Sequence, residues 1–263
     1  MSDSQATFME VRSERLDGRW AVVTGSSSGI GRAISLRLAA AGARLVVHGG
    51  HEAARARGVA EEIRRAGQVA EVVMADLAAP DQQDRFVASV LDVCGGPPHV
   101  LVNNAGADVL TGDAGNLTFE EKLETLWRVD VVATMRLARA IGAAMRSSGR
   151  GVILNLGWDQ AATGMEGDSG EMFSAVKGAV AAFSRSLARS LAPHVRVNCL
   201  APGWIRTAWG ALAGDAWDRR ARAESLSGRW GTPEDVAEVA AFLAGDASSF
   251  LNGQVIDING GRP

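Results

Sequence analysis

Tyrosine is absent from this sequence, and aromatic residues of all kinds make up only 5% of its 263 positions. Chemistry that needs a phenolic hydroxyl from the chain itself is therefore excluded. Cysteine is scarce as well, since Cys94 and Cys199 are too few for a disulfide framework and no Cys/His spacing indicates zinc. We expect two buried, reduced thiols and no metal site.

Neither a strong charge nor a long hydrophobic run is present. Lysine and arginine number 27 against 30 aspartates and glutamates, so the net charge of −3 gives no electrostatic argument for nucleic acid or an anionic membrane. No segment reaches the roughly 20 apolar residues of a membrane span. The first residues mix acidic, basic and polar side chains, and they lack the apolar core of a signal peptide. We expect a cytoplasmic protein that acts on a small-molecule substrate, without nucleic acid or membrane.

Short apolar runs alternate with longer segments of helical period along the chain. This alternation is typical of an α/β domain with a parallel sheet and helices on both faces. No linker or repeat divides the chain, so we predict one domain over residues 16–263, preceded by an extension over residues 1–15. The predicted strands are Trp20–Thr24, Arg44–His48, Val69–Met74, His99–Asn103, Gly151–Leu156, Val195–Leu200 and Val255–Ile258. The predicted helices are Gly29–Ala41, Glu52–Ala66, Pro80–Val93, Thr118–Met145, Glu171–Leu191 and Pro233–Leu243, with an irregular, Trp-rich stretch up to Trp230.

A glycine-rich turn separates the first predicted strand from the first predicted helix. It reads Thr-Gly-Ser-Ser-Ser-Gly-Ile-Gly from Thr24 to Gly31. Glycine allows a tight turn that brings backbone N–H groups against a pyrophosphate, and the helix N-terminus adds partial positive charge. Glycine is also common in turns that bind nothing, but this one follows a strand and opens a helix. The sequence therefore predicts a dinucleotide site at this turn.

Further motifs follow this turn in an order and at a spacing that resemble one family. They are Asp76-Leu77, Asn103-Asn104-Ala105-Gly106, Pro202-Gly203 with Thr207 nearby, and the stretch from Gly231 to Gly261. The chain from about Leu16 onward resembles the short-chain dehydrogenase/reductase family and is similar to the beta-ketoacyl-carrier-protein reductases. The resemblance implies a Rossmann-like doubly wound parallel sheet in a single domain, a nicotinamide cofactor, and a substrate lid around residues 204–230.

The resemblance also implies which residues contact the cofactor. It places Asp76 and Leu77 beside the adenine, and the segment from Asn103 to Gly106 beside the ribose and the central strand. The segment from Pro202 to Thr207 would border the nicotinamide. The full set of expected contacts is Gly25, Ser27, Ser28, Gly29, Ile30, Gly31, Gly50, His51, Asp76, Leu77, Asn104, Ala105, Gly106, Lys177, Pro202, Gly203, Ile205 and Thr207.

The end of the second predicted strand bears on whether the cofactor is NADP or NAD. An acidic residue there would bind the ribose hydroxyls and favour NAD. This sequence has no carboxylate before Glu52, so a 2′-phosphate would not be repelled, and His51 or Arg55 could meet it. However, no arginine or lysine stands at the turn itself, where Ser28 is neutral. We favour NADP, with NAD as the alternative.

The chemical end of the sequence departs from the family pattern. Family members carry Tyr-x-x-x-Lys, and this chain keeps Lys177 but has Phe173 at the tyrosine position. The family's serine falls on Trp158 when counted from the fifth strand and on Gln160 when counted back from Phe173. The family's asparagine falls on Asp130. A phenyl ring has no proton to give, so we predict an atypical active site.

Other residues could take over the lost proton transfer. Asp130 could pair with Lys177, either as a structural ion pair or as a relay, and a desolvated Lys177 could act as acid or base. Phe173 and Trp158 are most simply apolar walls of the pocket. Four acids in the loop after the fifth strand are candidate donors, although exposure or helix capping is the commoner role for such residues: Asp159, Glu166, Asp168 and Glu171.

Three functions remain open on this sequence. The first is an NAD(P)-dependent oxidoreductase of a carbonyl/alcohol pair with a non-standard proton donor. The second is a non-redox dehydratase, isomerase or cyclase on the same scaffold, and the third is a catalytically silent subunit. Tryptophans at 204, 209 and 217 could line a site for an aromatic or long apolar substrate, free or carrier-bound, or simply pack the lid. By resemblance we expect a homo-tetramer or dimer joined through the helices Thr118–Met145 and Glu171–Leu191.

Overall fold

The structure, a computed structural model, describes residues 14–208, 210 and 214–263. Within those residues, seven parallel strands form one sheet in the order β3-β2-β1-β4-β5-β6-β7. The strands are β1 Trp20–Val23, β2 Arg44–Gly49, β3 Ala70–Met74, β4 Val100–Asn103, β5 Gly151–Leu156, β6 Val195–Pro202 and β7 Val255–Ile258. The helices are α1 Gly29–Ala40, α2 Ala53–Arg65, α3 Pro80–Cys94, α4 Phe119–Leu126, α5 Thr134–Ser147, α6 Asp168–Leu191, α7 Asp215–Ala223 and α8 Pro233–Ala244.

Helices cover both faces of the sheet, so its central strands are buried on each side. Apolar residues of α1, α2 and α8 pack on one face, and those of α3, α5 and α6 pack on the other. Every residue of β1, β4 and β5 is buried, which explains why these strands read as continuous apolar runs rather than alternating ones. The prediction of a single, doubly wound α/β domain is confirmed.

The strand order reverses between β1 and β4. From β1 the chain proceeds outward to β2 and β3, and it then returns to the other side of β1 at β4. In sheets of this kind, ligands bind outside the carboxyl ends of the strands at the reversal point. The glycine-rich turn after β1 and the Asn103–Gly106 segment after β4 both lie there.

The long helix predicted over Thr118–Met145 is interrupted. It consists of α4, a π-helical segment over Trp127–Ala133, and α5. A π-helical segment holds one extra residue per turn and so redirects the side chains within it. Here it carries Asp130, whose side chain is only 3% exposed. Sequence periodicity does not distinguish such a segment from an ordinary helical turn.

The stretch predicted to be irregular up to Trp230 contains α7, so that prediction is wrong for residues 215–223. The helix was missed because its apolar side is narrow, with Ala221 as its one fully buried residue. Trp209 and the predicted extension as far as residue 13 lie outside the described residues. No helix of the described chain has the length and apolar character needed to cross a lipid bilayer.

Candidate functional site

The turn between β1 and α1 has no room for side chains on its inner side. Gly25 adopts φ +62°, and a Cβ there would lie 2.8 Å from the Cα of Ala105. A Cβ on Gly31 would lie 2.3 Å from the carbonyl oxygen of Gly25. Gly29, at φ +53°, faces open space, and a Cβ there would first meet the Thr207 Cγ2 atom at 3.8 Å. The turn is therefore tight on the protein side and open toward the segment after β6.

The N-terminus of α1 points its free donors into this open space. Ser28 is extended and makes no capping hydrogen bond through its side chain. The first N–H groups of a helix have no acceptor within it, and they carry the positive end of the helix dipole. Ser28 is exposed, while Ser27, Gly29 and Ile30 are half-buried and reachable. These residues fit the pyrophosphate of a dinucleotide.

Thr24 and Asn104 join the ends of β1 and β4. The Thr24 hydroxyl oxygen accepts hydrogen bonds from the N–H groups of Asn104 at 2.9 Å and Ala105 at 3.0 Å. The Asn104 amide donates to the carbonyl oxygens of Thr24 at 2.9 Å and Gly25 at 3.2 Å. The segment that leads to Gly106 is thus held against the glycine-rich turn, and the structure brings these two predicted groups together.

The other expected cofactor residues surround the ends of β2 and β3. Gly50 and His51 are exposed, and the neighbouring Glu52 carboxylate pairs with Arg55 at 2.5 Å. Asp76 is half-buried and accepts the N–H of Ala78 at 2.9 Å, while Leu77 is 4% exposed. Directly after β2 the cleft is therefore lined by the exposed Gly50 and His51, and Asp76 is the half-buried acid after β3.

Lys177 and Asp130 form a buried ion pair at the chemical end of the cleft. The Lys177 Nζ atom lies 2.8 Å from Asp130 Oδ2, with side chains 13% and 3% exposed. Lys177 Nζ also donates to the carbonyl oxygen of Leu156 at 3.2 Å. Asp130 Oδ1 accepts the N–H of Ala107 at 2.9 Å. A Cβ on Gly106 would come within 2.8 Å of Asp130 Oδ2, so this carboxylate needs a glycine beside it.

Phe173 and Trp158 meet beside this pair. Their ring centroids are 6.2 Å apart and the planes cross at 68°, an edge-to-face contact. Phe173 precedes Lys177 by four residues in α6, so both side chains lie on the same face of the helix. Both rings are half-buried, and together they form an apolar wall.

Asp159 and Gln160 are held by residues from distant parts of the chain. Asp159, 6% exposed, accepts hydrogen bonds at Oδ2 from Asn259 at 3.0 Å and from Arg262 at 2.9 Å. The Gln160 amide donates to Glu224 Oε2 at 3.0 Å. A cavity of about 190 Å³ adjoins these residues. These contacts link the loop after β5 to the end of α7 and to the segment after β7.

The remaining acids of this loop have other contacts. Glu166 forms an ion pair with Arg220 of α7 at 2.6 Å, and its side chain is 77% exposed. Asp168 and Glu171 lie in the first turn of α6, where a negative charge interacts favourably with the positive end of the helix dipole.

The expected nicotinamide segment follows β6. Pro202 and Ile205 are buried, while Gly203 and Thr207 are half-buried. A Cβ on Gly203 would lie 2.6 Å from the Cβ of Asn259, so the turn is packed against the segment after β7. Beyond it the indole N–H of Trp204 donates to Glu224 at 2.8 Å, and the Trp204 ring packs against the rings of Trp217 and Trp230 at 5.5 and 5.9 Å. The tryptophans therefore form a packed cluster with α7.

Sequence reasoning missed three groups that shape this site. His48 is 2% exposed and accepts the N–H of Gly25 at Nδ1, at 2.9 Å. Asn103 donates to Asn155 at 2.8 Å, and Asn155 donates to Ser184 at 2.8 Å, a polar chain from β4 to α6. Arg262 pairs with Asp159 across 103 residues of sequence. A polar residue ending an apolar strand is a local signal for the first two groups, whereas no local signal marks the third.

Replacing Arg262 by alanine is expected to lower the free energy of unfolding by about 2 kcal/mol, because the buried Asp159 carboxylate would lose its cation. Urea unfolding followed by tryptophan fluorescence measures the change. Arg85→Ala is the control, since the Arg85–Asp81 pair is exposed and should leave the unfolding free energy unchanged. Equal effects of both variants would contradict the prediction.

Burial of His48 makes the free energy of unfolding depend on pH. Desolvation lowers the pKa of His48 from 6.5 to about 4, against a smaller opposing effect of the Ala75 carbonyl. The unfolded chain thus takes up a proton near pH 6.5, whereas the folded chain resists it until about pH 4. The stabilisation is complete above pH 6.5 and is lost as the pH falls through this window. Between about pH 7.5 and 5 we expect the unfolding free energy to fall by about 2 kcal/mol from His48. The fall should be smaller in His48→Gln, and an identical fall would contradict the assignment.

No group of three or more His, Cys, Asp or Glu side chains suited to a metal ion occurs in the described chain.

Comparisons with known proteins identify the family. A family model described as enoyl-(acyl carrier protein) reductase matches residues 25–262. The 3-oxoacyl-[acyl-carrier-protein] reductase FabG of Aquifex aeolicus is 34% identical over 252 residues, which cover 94% of this chain and 98% of that protein. A solved 3-oxoacyl (acyl-carrier-protein) reductase of Agrobacterium tumefaciens with NADP bound has a TM-score of 0.85 at 29% identity, covering 99% of this chain and 100% of the other.

A 7α-hydroxysteroid dehydrogenase solved with NADH and 7-oxo glycochenodeoxycholic acid has a TM-score of 0.87 at 27% identity, covering 97% of this chain and 98% of the other. The likeness therefore spans both the glycine-rich turn and the Lys177 end of the cleft. The chain belongs to the short-chain dehydrogenase/reductase family, and two of these relatives were solved with a nicotinamide dinucleotide bound.

Proposed function

We propose that this chain is an NAD(P)-dependent oxidoreductase of a carbonyl/alcohol pair that works without a tyrosine proton donor. The observation that carries the proposal is the buried Lys177–Asp130 pair at 2.8 Å, which stands at the same end of the sheet as a glycine-rich turn suited to pyrophosphate. The cofactor, when bound, supplies or accepts hydride at the nicotinamide. The residues of the chain bind the cofactor, orient the substrate and transfer the proton.

The pocket walls favour an apolar carbonyl compound. In the family pattern Phe173 stands for the tyrosine and Trp158 for the serine, with Gln160 as the other serine position. Phe173 has no polar hydrogen, and the indole N–H of Trp158 can donate a hydrogen bond but is too weak an acid to transfer its proton. Both rings exclude water from a bound carbonyl group. Gln160 is engaged with Glu224 and so contributes to loop position rather than to the reacting atoms.

Lys177 is the proton donor that we propose. Its ammonium has three N–H groups, of which one faces Asp130 and one faces the Leu156 carbonyl oxygen. The third is left for a carbonyl oxygen or for a water molecule bound to it. Asp130 holds the ammonium in place from the π-helical segment and is itself fixed by Ala107. Asp159, bound to Arg262 and Asn259, serves to position the loop that carries Trp158.

NADP is the cofactor that we propose, with NAD as the alternative. No carboxylate stands between the end of β2 and Glu52, and the Glu52 charge is paired with Arg55. A 2′-phosphate beside Gly50 and His51 would therefore meet no unpaired negative charge from this segment. The NADP-bound reductase relative supports this choice, while the NADH-bound dehydrogenase keeps the alternative open.

Titration with NADPH and with NADH, read by energy transfer from the seven tryptophans, tests the cofactor proposal. We expect micromolar binding of both and tighter binding of NADPH. Competition by 2′,5′-ADP should exceed that by 5′-ADP if the 2′-phosphate is recognised. Oxidation of NADPH by apolar ketones then tests the reaction itself. Product formed without a change in nicotinamide absorbance would favour the dehydratase, isomerase or cyclase alternative. Activity only with a tyrosine-bearing relative would favour the silent subunit.

We also propose a homo-oligomer joined through α4–α5 and α6. Trp127 on the π-helical segment is 45% exposed, and a Cβ on Gly178 of α6 would meet nothing within 4 Å. An exposed indole beside a smooth helix face suits close packing of a second copy. Light scattering of the purified protein measures the assembly directly.

A further inference from the structure

We propose that His48 positions the dinucleotide site by joining the phosphate side of the cleft to its adenine side. The inference rests on the proposed binding of a nicotinamide dinucleotide, and it assigns a role to a residue that is buried behind the cleft. The ring lies at the end of β2, behind the glycine-rich turn, and acts through the backbone on either side of it.

One side of His48 holds the beginning of the glycine-rich turn. The N–H of Gly25 donates to His48 Nδ1 at 2.9 Å. The backbone of His48 makes two more hydrogen bonds, both to Ser26, the residue after Gly25. The His48 N–H donates to the Ser26 hydroxyl at 2.8 Å, and the His48 carbonyl oxygen accepts the Ser26 N–H at 3.0 Å. Since Gly25 and Ser26 lead directly into the N–H groups that would face the pyrophosphate, their position sets the position of those donors.

The other side of the same ring holds the end of β3. Because Nδ1 accepts a hydrogen bond, the neutral ring carries its proton on Nε2, which donates to the Ala75 carbonyl oxygen at 3.0 Å. Ala75 immediately precedes Asp76 and Leu77, the expected neighbours of the adenine. One imidazole therefore bridges the phosphate side and the adenine side of the cleft, using each ring nitrogen once.

Packing fixes the orientation of this bridge. The ring is 2% exposed and meets Phe86 of α3 edge-to-face, with centroids 5.0 Å apart. Both ring nitrogens of any buried histidine need partners, and here the two partners are backbone groups of two different loops that line one cleft. Leucine at this position could fill the space, but it would leave the Gly25 N–H and the Ala75 carbonyl oxygen without these partners.

The chain offers a matched control in His99. Desolvation lowers the pKa of His99 to about 4, as it does for His48. However, His99 directly precedes β4 and contacts Arg19 at 3.1 Å, so it lies at the amino end of the parallel sheet, opposite the cleft. Substitution there perturbs a half-buried histidine without touching the dinucleotide side.

The test compares His48→Leu, His48→Gln and His99→Leu with the wild type. NADPH affinity is measured by tryptophan energy transfer, and hydrogen exchange is measured at the Gly25 amide in the absence of NADPH. We expect His48→Leu to weaken NADPH binding at least about tenfold and to speed exchange at Gly25, while core strand amides stay protected. His48→Gln, which retains an acceptor and a donor, should recover most of the affinity. His99→Leu should leave the affinity unchanged even where it lowers the melting temperature.

Unchanged NADPH affinity in a folded His48→Leu protein would overturn the inference and reduce His48 to a packing residue. The same holds if His99→Leu weakens binding as much as His48→Leu does. If His48→Leu does not fold, His48→Gln provides the test: faster exchange at Gly25 together with weaker NADPH binding supports the bridge, whereas faster exchange with unchanged affinity refutes it. Failure of the wild type to bind NADPH or NADH would refute the proposed function itself, a result distinct from any difference among variants.

Discussion

Phe173→Tyr is expected to raise kcat for reduction of an apolar ketone by about 10²-fold, since general acid catalysis typically contributes about 10²- to 10⁴-fold. Residue 173 lies one helical turn before Lys177, so a phenol there would have an ammonium as its neighbour. A nearby positive charge favours the phenolate form and makes the phenol a better acid. Steady-state rates of NADPH oxidation measure the effect.

Phe173→Leu is the control for this gain, because it changes the apolar wall without adding a hydroxyl and should not raise kcat. A further rise in the double variant Phe173→Tyr/Trp158→Ser would support Trp158 as the serine position. If Phe173→Tyr binds NADPH normally but shows no gain, residue 173 does not face the reacting carbonyl. That result would favour the dehydratase, isomerase or cyclase alternative.

Lys177→Met is expected to cost about 3–5 kcal/mol of unfolding free energy and to lower kcat by about 10²-fold or more. The stability loss arises because the carboxyl group of Asp130, 3% exposed, would stay buried without its partner at 2.8 Å. The loss of rate arises because methionine has no N–H group that could replace the ammonium as proton donor. Urea unfolding and steady-state rates measure the two effects separately.

The double variant Asp130→Asn/Lys177→Met separates a structural pair from a catalytic one. Removing the unpaired charge should recover most of the unfolding free energy, while kcat should stay as low as in Lys177→Met. Recovery of both quantities together would show that Lys177 has only a structural role. Recovery of neither would indicate that Met cannot be accommodated beside Phe173.

The sequence by itself determined the layered fold and the dinucleotide end of the molecule. Apolar runs such as those of β1 and β5 are fully buried on both faces, so composition alone marks them as strands of a parallel sheet. A Cβ at Gly25 or Gly31 would lie 2.8 Å or 2.3 Å from another backbone atom, so the turn requires glycine at both positions and the sequence shows this pattern directly. The absence of tyrosine is likewise a property of the composition and needs no coordinates.

Only the tertiary structure decided how the chemical end is arranged. Helical periodicity predicted one helix over Thr118–Met145, but a π-helical segment within it turns Asp130 inward to Lys177. The sequence offers Asp159 as a candidate proton donor, and only the fold pairs it with Arg262, which is 103 residues away and is linked to it by no local pattern. His48 reads as the polar end of a strand, yet its ring bonds to two loops that meet only when β1, β2 and β3 pair. Local patterns record constraints within one turn or strand, whereas ion pairs and buried polar bridges depend on which distant segments the fold brings into contact.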